Sequence, residues 1–298
     1  MPGILSTIWQ ADSTGRIKSM KYRALDVRPS IAQAIIFSFS LFLSLWIGCA
    51  AASAQQSTFE QGLKWFQQRA TDADSFRAKP QYINQAIEAF EKSWNEDGQS
   101  AETALYLLRS YYFKGMFVDL PDSELKEVFD KGRDLGETAH ERFPGSVGVA
   151  FWYGANMGRW ARVHGFVASA TSGVARKARS LGQKIIDMDP AYEGGGGYRI
   201  LSQVHFHTPK IPIVLGWPSD ERALELSQEA LKIAPDHFSN LLLHARILLS
   251  FDRTAEARTH LNHILEMEPR ESHLLPDRYV KHLAREMLRE HYGDDQQG

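Results

Sequence analysis

The chain has 298 residues, of which 43% are hydrophobic and 23% are charged, and these proportions exclude wholesale disorder. Its 34 Lys and Arg residues nearly balance its 36 Asp and Glu residues, giving a formal net charge of −2. The chain therefore lacks the basic excess typical of proteins that bind nucleic acid or polyphosphate. The single cysteine excludes an internal disulfide and a cysteine-rich zinc site.

The first 54 residues predict a signal peptide or an N-terminal anchor, separate from a domain that covers residues 55–298. Basic side chains cluster in residues 16–28, and no charged residue occurs from 29 to 59. An apolar run lies within this uncharged stretch and small residues follow it, which is the order found in a secretory signal peptide. Met20 is a more natural start than Met1.

Three ways of processing this segment stay open. Residues 52–54 (Ala-Ser-Ala) fit the small-residue rule for signal-peptide cleavage. Cys49 follows Gly48 as the lipid-attached cysteine of a bacterial lipoprotein does, although Trp46 stands where that pattern has an aliphatic residue. An uncleaved anchor is the third alternative, because the apolar run is long enough to cross a bilayer. All three place the second domain in the periplasm, lipid-anchored to a membrane if Cys49 is acylated.

The second domain carries a repeat of helical pairs. A proline or glycine recurs just after successive amphipathic runs, at Gly98, Pro144, Pro190, Pro235 and Pro269. The last two prolines are 34 residues apart, which is the tetratricopeptide period, and the earlier intervals are 45 or 46 residues. Small residues recur twelve positions before each of these breaks, and Gly136 and Gly182 lie eight positions before Pro144 and Pro190. Small residues are expected where two helices must approach closely. The pattern predicts an all-α, tetratricopeptide-like helical-pair solenoid with long inter-repeat insertions; the alternative is a non-repeating helical bundle.

The extra residues of the first three intervals predict loops or additional helical turns. Two stretches stand out, residues 162–173 and residues 193–216, and the second begins with the run Gly194–Gly197. Insertions on one face of a solenoid often line its binding surface. The only strand-like segment is 211–215, and its proline makes a strand unfavourable there.

Four motifs carry a resemblance to a known family, the T component of TRAP-transporter-associated proteins. They lie within a region of about 84–270 and comprise residues 151–160 (FWYGANMGRW), residues 189–199 (DPAYEGGGGYR), the Thr208-Pro…Pro212…Gly216 connection and the Ala223…Ala230…Pro235 series. The resemblance implies a periplasmic, often lipid-anchored protein built from tetratricopeptide-like pairs. It further implies a homotrimer that partners a TRAP solute-binding protein, with a central channel for an apolar ligand.

No catalytic constellation is present in the sequence. The glycine run 194–197 does not follow a strand, so it favours a turn where backbones approach closely over a dinucleotide site. Two histidine groups offer too few ligands for a functional metal site; they are His205 with His207, and His260, His263 and Glu266. We therefore predict a protein that is not an enzyme and that has neither cofactor nor metal.

The best candidate ligand site is an aromatic cluster near residue 155. If this segment is one helix, Tyr153, Asn156 and Trp160 share one face, and Trp152 and Arg159 form an adjacent stripe. One stripe must pack against a neighbouring helix. The other offers apolar area with a few polar groups, the usual makeup of a ligand pocket; the alternative is core packing of both stripes.

Tyr198 and Arg199 complete the predicted ligand-binding set. They follow the glycine run directly, and a guanidinium group binds a carboxylate through two parallel hydrogen bonds. The alternative is that both residues only start a helix. The whole set predicts binding of a small apolar or carboxylated ligand.

These observations predict a periplasmic binding protein, an accessory component of a TRAP-type uptake system that contacts a solute-binding protein. The alternative is a tetratricopeptide scaffold for another protein of the cell envelope, with the partner held in the groove between stacked pairs. Nucleic acid is not an expected partner, and the membrane is involved only through the N-terminus.

Overall fold

The computed structural model describes residues 7–11, 17–21, 58–96, 99–171, 173–209 and 216–293. The chain divides into two compact units, Met1–Ala54 and Gln55–Gly298. Cys49, residues 52–54 and the strand-like segment 211–215 lie outside the described residues, so the export signal and its processing stay predictions. Among the described residues, no helix combines the length and the apolar character needed to span a membrane.

The first unit contains a β-hairpin that the sequence pattern does not predict. Strand β1 (Thr7–Ala11) pairs antiparallel with strand β2 (Ile17–Lys21), with the backbone of Thr7 opposite that of Lys21. Both strands precede the apolar run. Strand β1 lies before Met20, and strand β2 contains it.

The second unit is all-α, which confirms the predicted fold class. Its described residues contain a short 3₁₀ turn at Glu271–His273 and an isolated bridge between Asp74 and Arg77 in addition to α-helices. The helices are α1 (58–67), α2 (Pro80–Glu96), α3 (Ala101–Phe117), α4 (Asp122–Arg142), α5 (Val147–Thr171), α6 (Val174–Met188), α7 (Gly196–His207), α8 (Asp220–Ile233), α9 (Phe238–Ser250), α10 (Thr254–Glu266) and α11 (Leu274–Tyr292).

The helices form five consecutive pairs followed by α11, and the predicted prolines mark the ends of the pairs. Helix α4 ends two residues before Pro144, α6 two before Pro190, α8 two before Pro235 and α10 three before Pro269. Proline cannot continue a helix, because it lacks the backbone N–H and its ring clashes with the preceding turn. The repeat prediction is therefore confirmed at each of these four ends.

The small residues of the repeat lie at close helix crossings, as predicted. A Cβ atom on Gly136 of α4 would lie 2.2 Å from the Tyr153 ring of α5, and one on Gly182 of α6 would lie 2.7 Å from Leu201 of α7. Ala223 and Ala257, twelve positions before Pro235 and Pro269, are fully buried. Larger side chains at the two glycines would push successive pairs apart.

The extra length of the early repeats is mostly helix. Helices α4 and α5 have 21 and 25 residues, whereas α9 and α10 have 13 each. The predicted insertion at residues 162–173 largely continues α5 beyond a kink at Gly165, whose φ of 85° interrupts the helical backbone. The glycine run is a tight turn, since a Cβ on Gly195 would lie 3.1 Å from the Ala230 backbone and one on Gly197 would lie 3.0 Å from the Gly182 carbonyl.

The first helix of each pair lies on the inner side of the solenoid. Helix α3 packs against α5, α5 against α7, α7 against α9, and α9 against α11. We call α3, α5, α7, α9 and α11 the inner helices, and we call their pair partners α4, α6, α8 and α10 the outer helices. The surface that the inner helices share is the inner groove.

Helix α11 closes one side of the inner groove by returning to the first pair. Arg278 donates a hydrogen bond to the Ser75 carbonyl at 3.2 Å, although the two residues are 203 positions apart. The Tyr279 ring lies 5.2 Å from Phe76 and 6.3 Å from Phe117, between ring centres. Leu275 is buried in the same core as the first pair. The inner groove is therefore bounded by both ends of the solenoid.

Candidate functional site

The first stripe of α5 is buried against neighbouring helices. The Asn156 side-chain amide donates hydrogen bonds to the carbonyls of Leu108 (3.0 Å) and Trp152 (2.8 Å), and no part of Asn156 is exposed. Tyr153 is also buried, and burial raises the pKa of its hydroxyl. The structure therefore gives these two predicted ligand residues positions in the interfaces of α5 with α3 and α4.

Trp160 belongs to the same buried stripe. Its indole N–H donates to Asp130 Oδ1 of α4 at 2.6 Å, and its ring stacks on His164 with 4.5 Å between centres. The Arg133 guanidinium lies 4.5 Å from the centre of the same indole. These contacts all come from α4 and α5, so the structure gives Trp160 a packing position rather than a place in the inner groove.

The second stripe of α5 meets aromatic residues of inner helix α3. The Trp152 ring lies edge-on to Tyr112 with 5.3 Å between centres, and the Arg159 guanidinium lies 5.8 Å from the centre of the Tyr112 ring. The Arg109 guanidinium also approaches Trp152, at 5.6 Å from the centre of its ring. Trp152, Arg159, Arg109 and Tyr112 are all half-buried and keep access to solvent. The structure thus brings two of the predicted site residues together with two residues that the sequence did not suggest.

Basic side chains from three inner helices converge beyond Arg159. Burial lowers the pKa of His207 of α7, and the positive charges of Arg246, Arg162 and Arg159 lower it further. The His207 side chain is nevertheless exposed, as expected for a group inside a concave surface that water can enter. We call Arg159, Arg162, Arg246 and His207 the inner basic cluster.

The arginines of this cluster have no acidic partner among the described residues. No described carboxylate lies within 4.0 Å of Arg159, Arg162 or Arg246. Burial lowers the pKa of Arg246, the charge of Arg162 lowers it further, and the Tyr279 hydroxyl on α11 opposes this effect. The charge balance of the whole chain does not reveal this cluster, because the fold gathers arginines that are far apart in sequence.

Arg199 is used inside the protein. It is only 8% exposed, and its guanidinium donates to Asn240 Oδ1 at 2.7 Å and to the Glu193 carbonyl at 3.1 Å. Burial lowers its pKa to about 10. Asn240 in turn donates to the Gly194 carbonyl at 2.9 Å. Arg199 therefore ties the glycine turn to α9, whereas the neighbouring Tyr198 is half-buried at the start of α7.

The histidines considered as metal ligands point to separate surroundings. His205 accepts a hydrogen bond from the Ser219 backbone at 3.3 Å, and His207 lies in the inner basic cluster. His263 contacts Asp236 at 2.8 Å, while the His260 ring lies 5.0 Å from His244. In the part of the chain that the structure describes, no three His, Cys, Asp or Glu side chains are grouped to hold a metal ion.

A cavity of about 480 Å³ lies between the C-terminal ends of α7 and α9 and helix α11. Arg246 of the inner basic cluster forms part of its wall. The other lining residues are Phe206, Leu249, Ser250, Leu283, Glu286, Met287, Glu290 and His291. The cavity therefore combines apolar lining residues with one arginine from α9 and two glutamates from α11.

The sequence carries one signal for basic residues on the inner helices. Arg109 and Arg246 are each the ninth residue of their helices, α3 and α9, so the repeat places them at equivalent positions. Arg246 belongs to the inner basic cluster, whereas Arg109 lies beside Trp152. Arg159 and Arg162 lie at later positions of α5, so the repeat does not predict them.

Comparisons with known proteins support the fold. No protein-family model matches the chain, and no curated protein sequence matches it. Among solved structures, a thermophilic TPR protein of Thermus thermophilus, TTC0263, is similar over 77% of this chain and 99% of its own, with 17% identity and a TM-score of 0.53.

Two further structures are similar at lower TM-scores. Pseudomonas aeruginosa PilF has 14% identity and a TM-score of 0.48, covering 82% of this chain and 95% of its own. Yeast Tom70 has 15% identity and a TM-score of 0.41, covering 89% of this chain and 45% of its own. The similarity to the Thermus structure and the five stacked pairs show that the fold is that of tetratricopeptide-repeat solenoids.

Proposed function

We propose that this protein is a non-catalytic scaffold that binds a segment of another protein in its inner groove. The observation that carries the proposal is the inner basic cluster, whose arginines are accessible to solvent and have no acidic partner among the described residues. Unpaired arginines beside aromatic rings are typical of protein-binding surfaces. A repeat solenoid also offers an extended concave surface for this purpose.

Photo-cross-linking in living cells tests this proposal. A photo-reactive amino acid in place of His207 would lie in the inner groove. The same group in place of Lys232 would lie at an exposed position of outer helix α8. We expect a discrete cross-linked protein from position 207 and none from position 232. Equal cross-linking from both positions, or none from either, would contradict binding in the groove.

A TRAP-type uptake role is the second candidate, supported by the four motifs of the resemblance and by the same arginines. In this form the protein contacts a periplasmic solute-binding protein as a homotrimer, and the groove holds a carboxylated ligand. Native mass spectrometry of the protein purified from its own envelope measures the number of subunits and any retained small molecule. A monomer without small ligand, cross-linked to a protein unrelated to solute binding, would exclude this candidate and leave the scaffold.

We also propose that residues 1–54 export the second unit to the periplasm. Fusion of these residues to alkaline phosphatase, which is active only outside the cytoplasm, is expected to give active enzyme. If Cys49 carries lipid, Cys49→Ser releases the fusion from the membrane fraction; if cleavage follows Ala54, this substitution has no effect. An inactive fusion would contradict export.

A further inference from the structure

The inner basic cluster places like charges close together without neutralising them. Arg159 and Arg162 of α5 and Arg246 of α9 lie near enough to act on the same histidine, His207. Like charges at short range repel one another, and the repulsion is stronger at a partly buried site than in bulk water. Among the described residues no acidic side chain offsets this repulsion within ion-pair distance. An anionic partner would offset this repulsion.

The rest of the surface favours a partner with apolar groups as well. Trp152 and Tyr112 lie beside Arg159, and the cavity beside Arg246 has Phe206, Leu249 and Leu283 in its wall. A large apolar side chain placed in this cavity would bury its surface next to a guanidinium group. The apolar and basic features are therefore parts of one continuous surface.

We infer that the inner groove binds an extended acidic segment of a partner protein, with carboxylates on the inner basic cluster and a bulky apolar side chain in the adjacent cavity. This inference rests on the proposed scaffold function and names the chemistry of its partner. Guanidinium groups bind carboxylates through paired, charge-assisted hydrogen bonds. Complementary charge also speeds the encounter and selects against basic partners.

The acidic side chains of α11 favour a protein segment over a nucleic acid. Glu286 and Glu290 of α11 line the same cavity as Arg246 of α9. A phosphate backbone carries charge at every unit and would bring phosphates close to these carboxylates. A protein segment can place its acidic residues on one side only, toward α5, and an apolar residue toward α11.

Fluorescence anisotropy with a labelled peptide tests the inference on the full-length protein. The probe contains Asp and Glu residues around one central Trp, and the reference peptide replaces every acid by its amide. We expect the acidic peptide to bind at least about tenfold more tightly than the amide peptide, which corresponds to ~1.4 kcal/mol. Binding is expected to weaken strongly at 1 M salt, where the screening length falls to about 3 Å.

Paired substitutions locate the binding. Arg159→Gln combined with Arg246→Gln is expected to weaken acidic-peptide binding by about a hundredfold, a tenfold loss for each arginine. The control is Arg176→Gln on exposed outer helix α6, which should bind as the unchanged protein does. Thermal unfolding of all three proteins verifies that they are folded, and Arg162→Gln replaces the pair if the double variant does not fold.

Each other outcome overturns the inference in a distinguishable way. Equal binding of the acidic and amide peptides, or equal weakening by the outer control, shows that the cluster does not select acids. Tighter binding of a single-stranded oligonucleotide identifies a nucleic-acid site, and equally tight binding of succinate identifies a small-carboxylate site. Cross-linking of a partner from position 207 without acidic-peptide binding would retain the scaffold function and reject only the acidic segment.

Discussion

The two stripes of helix α5 lie side by side and have opposite surroundings. Tyr153, Asn156 and Trp160 are buried against other helices and make defined hydrogen bonds. Trp152 and Arg159 are half-buried, face Tyr112 and remain accessible from the inner groove. The comparison separates residues that hold the fold together from residues available to a partner, although both stripes have similar composition.

The largest effect on stability is expected from the buried stripe. Trp160→Ala removes a buried indole and its hydrogen bond to Asp130, so the free energy of unfolding should fall by about 3–5 kcal/mol. Urea denaturation followed by circular dichroism measures this. A loss below about 1 kcal/mol would contradict a packing role, and it would return Trp160 to the predicted ligand site.

The next largest effect on stability is expected at the close contact between Gly136 of α4 and the buried stripe of α5. Gly136→Ala places a Cβ atom 2.2 Å from the Tyr153 ring, and such overpacking costs about 1–3 kcal/mol. Gly158 is the matched control in α5, because a Cβ atom there meets nothing within 4 Å. Gly158→Ala should stabilise the helix by about 0.5–1 kcal/mol. Equal melting temperatures for the two variants would contradict the predicted close crossing.

Helix α9 also has a buried side and an accessible side, since His244 faces the outer helices and Arg246 faces the inner groove. Burial, together with the nearby charge of His260, lowers the pKa of His244 to about 4. The unfolded chain therefore binds a proton on His244 below about pH 6.5, whereas the folded protein binds this proton only below about pH 4. Stability should be complete above pH 6.5 and fall toward pH 4, by at most about 1.4 kcal/mol per pH unit for this group. His244→Gln should reduce this slope; an unchanged slope would contradict the assignment.

The smallest effect on stability is expected from the accessible stripe. Arg159→Gln loses the approach to the Tyr112 ring and the hydrogen bond with the Tyr112 side chain, so the free energy of unfolding should fall by about 1 kcal/mol. Partner binding should nevertheless weaken. Chemical denaturation and peptide titration of the same variant separate the two quantities. A large loss of stability with unchanged peptide binding would contradict the assignment of Arg159 to the accessible stripe.

The sequence was sufficient to predict features that depend on neighbours along the chain. The prolines after each pair predicted the helix ends, and the glycines at 136 and 182 predicted the close crossings. The turn at 194–197 was also correctly interpreted as a close backbone approach. Each of these depends on local backbone chemistry and on one adjacent helix.

Features set by the curvature of the solenoid could not be predicted in this way. Arg159 and Arg246 are on non-adjacent pairs, and only the stacking of α5, α7 and α9 brings them near His207. The closure by Tyr279 against Phe76 joins opposite ends of the second unit. Which stripe of α5 faces the groove depends on these long-range contacts, because helical periodicity defines two stripes without orienting them.

Arginine modification tests the central claim most directly. Phenylglyoxal treatment of the full chain, followed by mass spectrometry, reports which guanidinium groups a bound partner covers. With the cross-linked or peptide partner present, we expect protection of Arg159, Arg162 and Arg246 and unchanged modification of Arg176. Protection of Arg176 with continued modification of the three inner arginines would show that the partner binds outside the groove and would contradict the account.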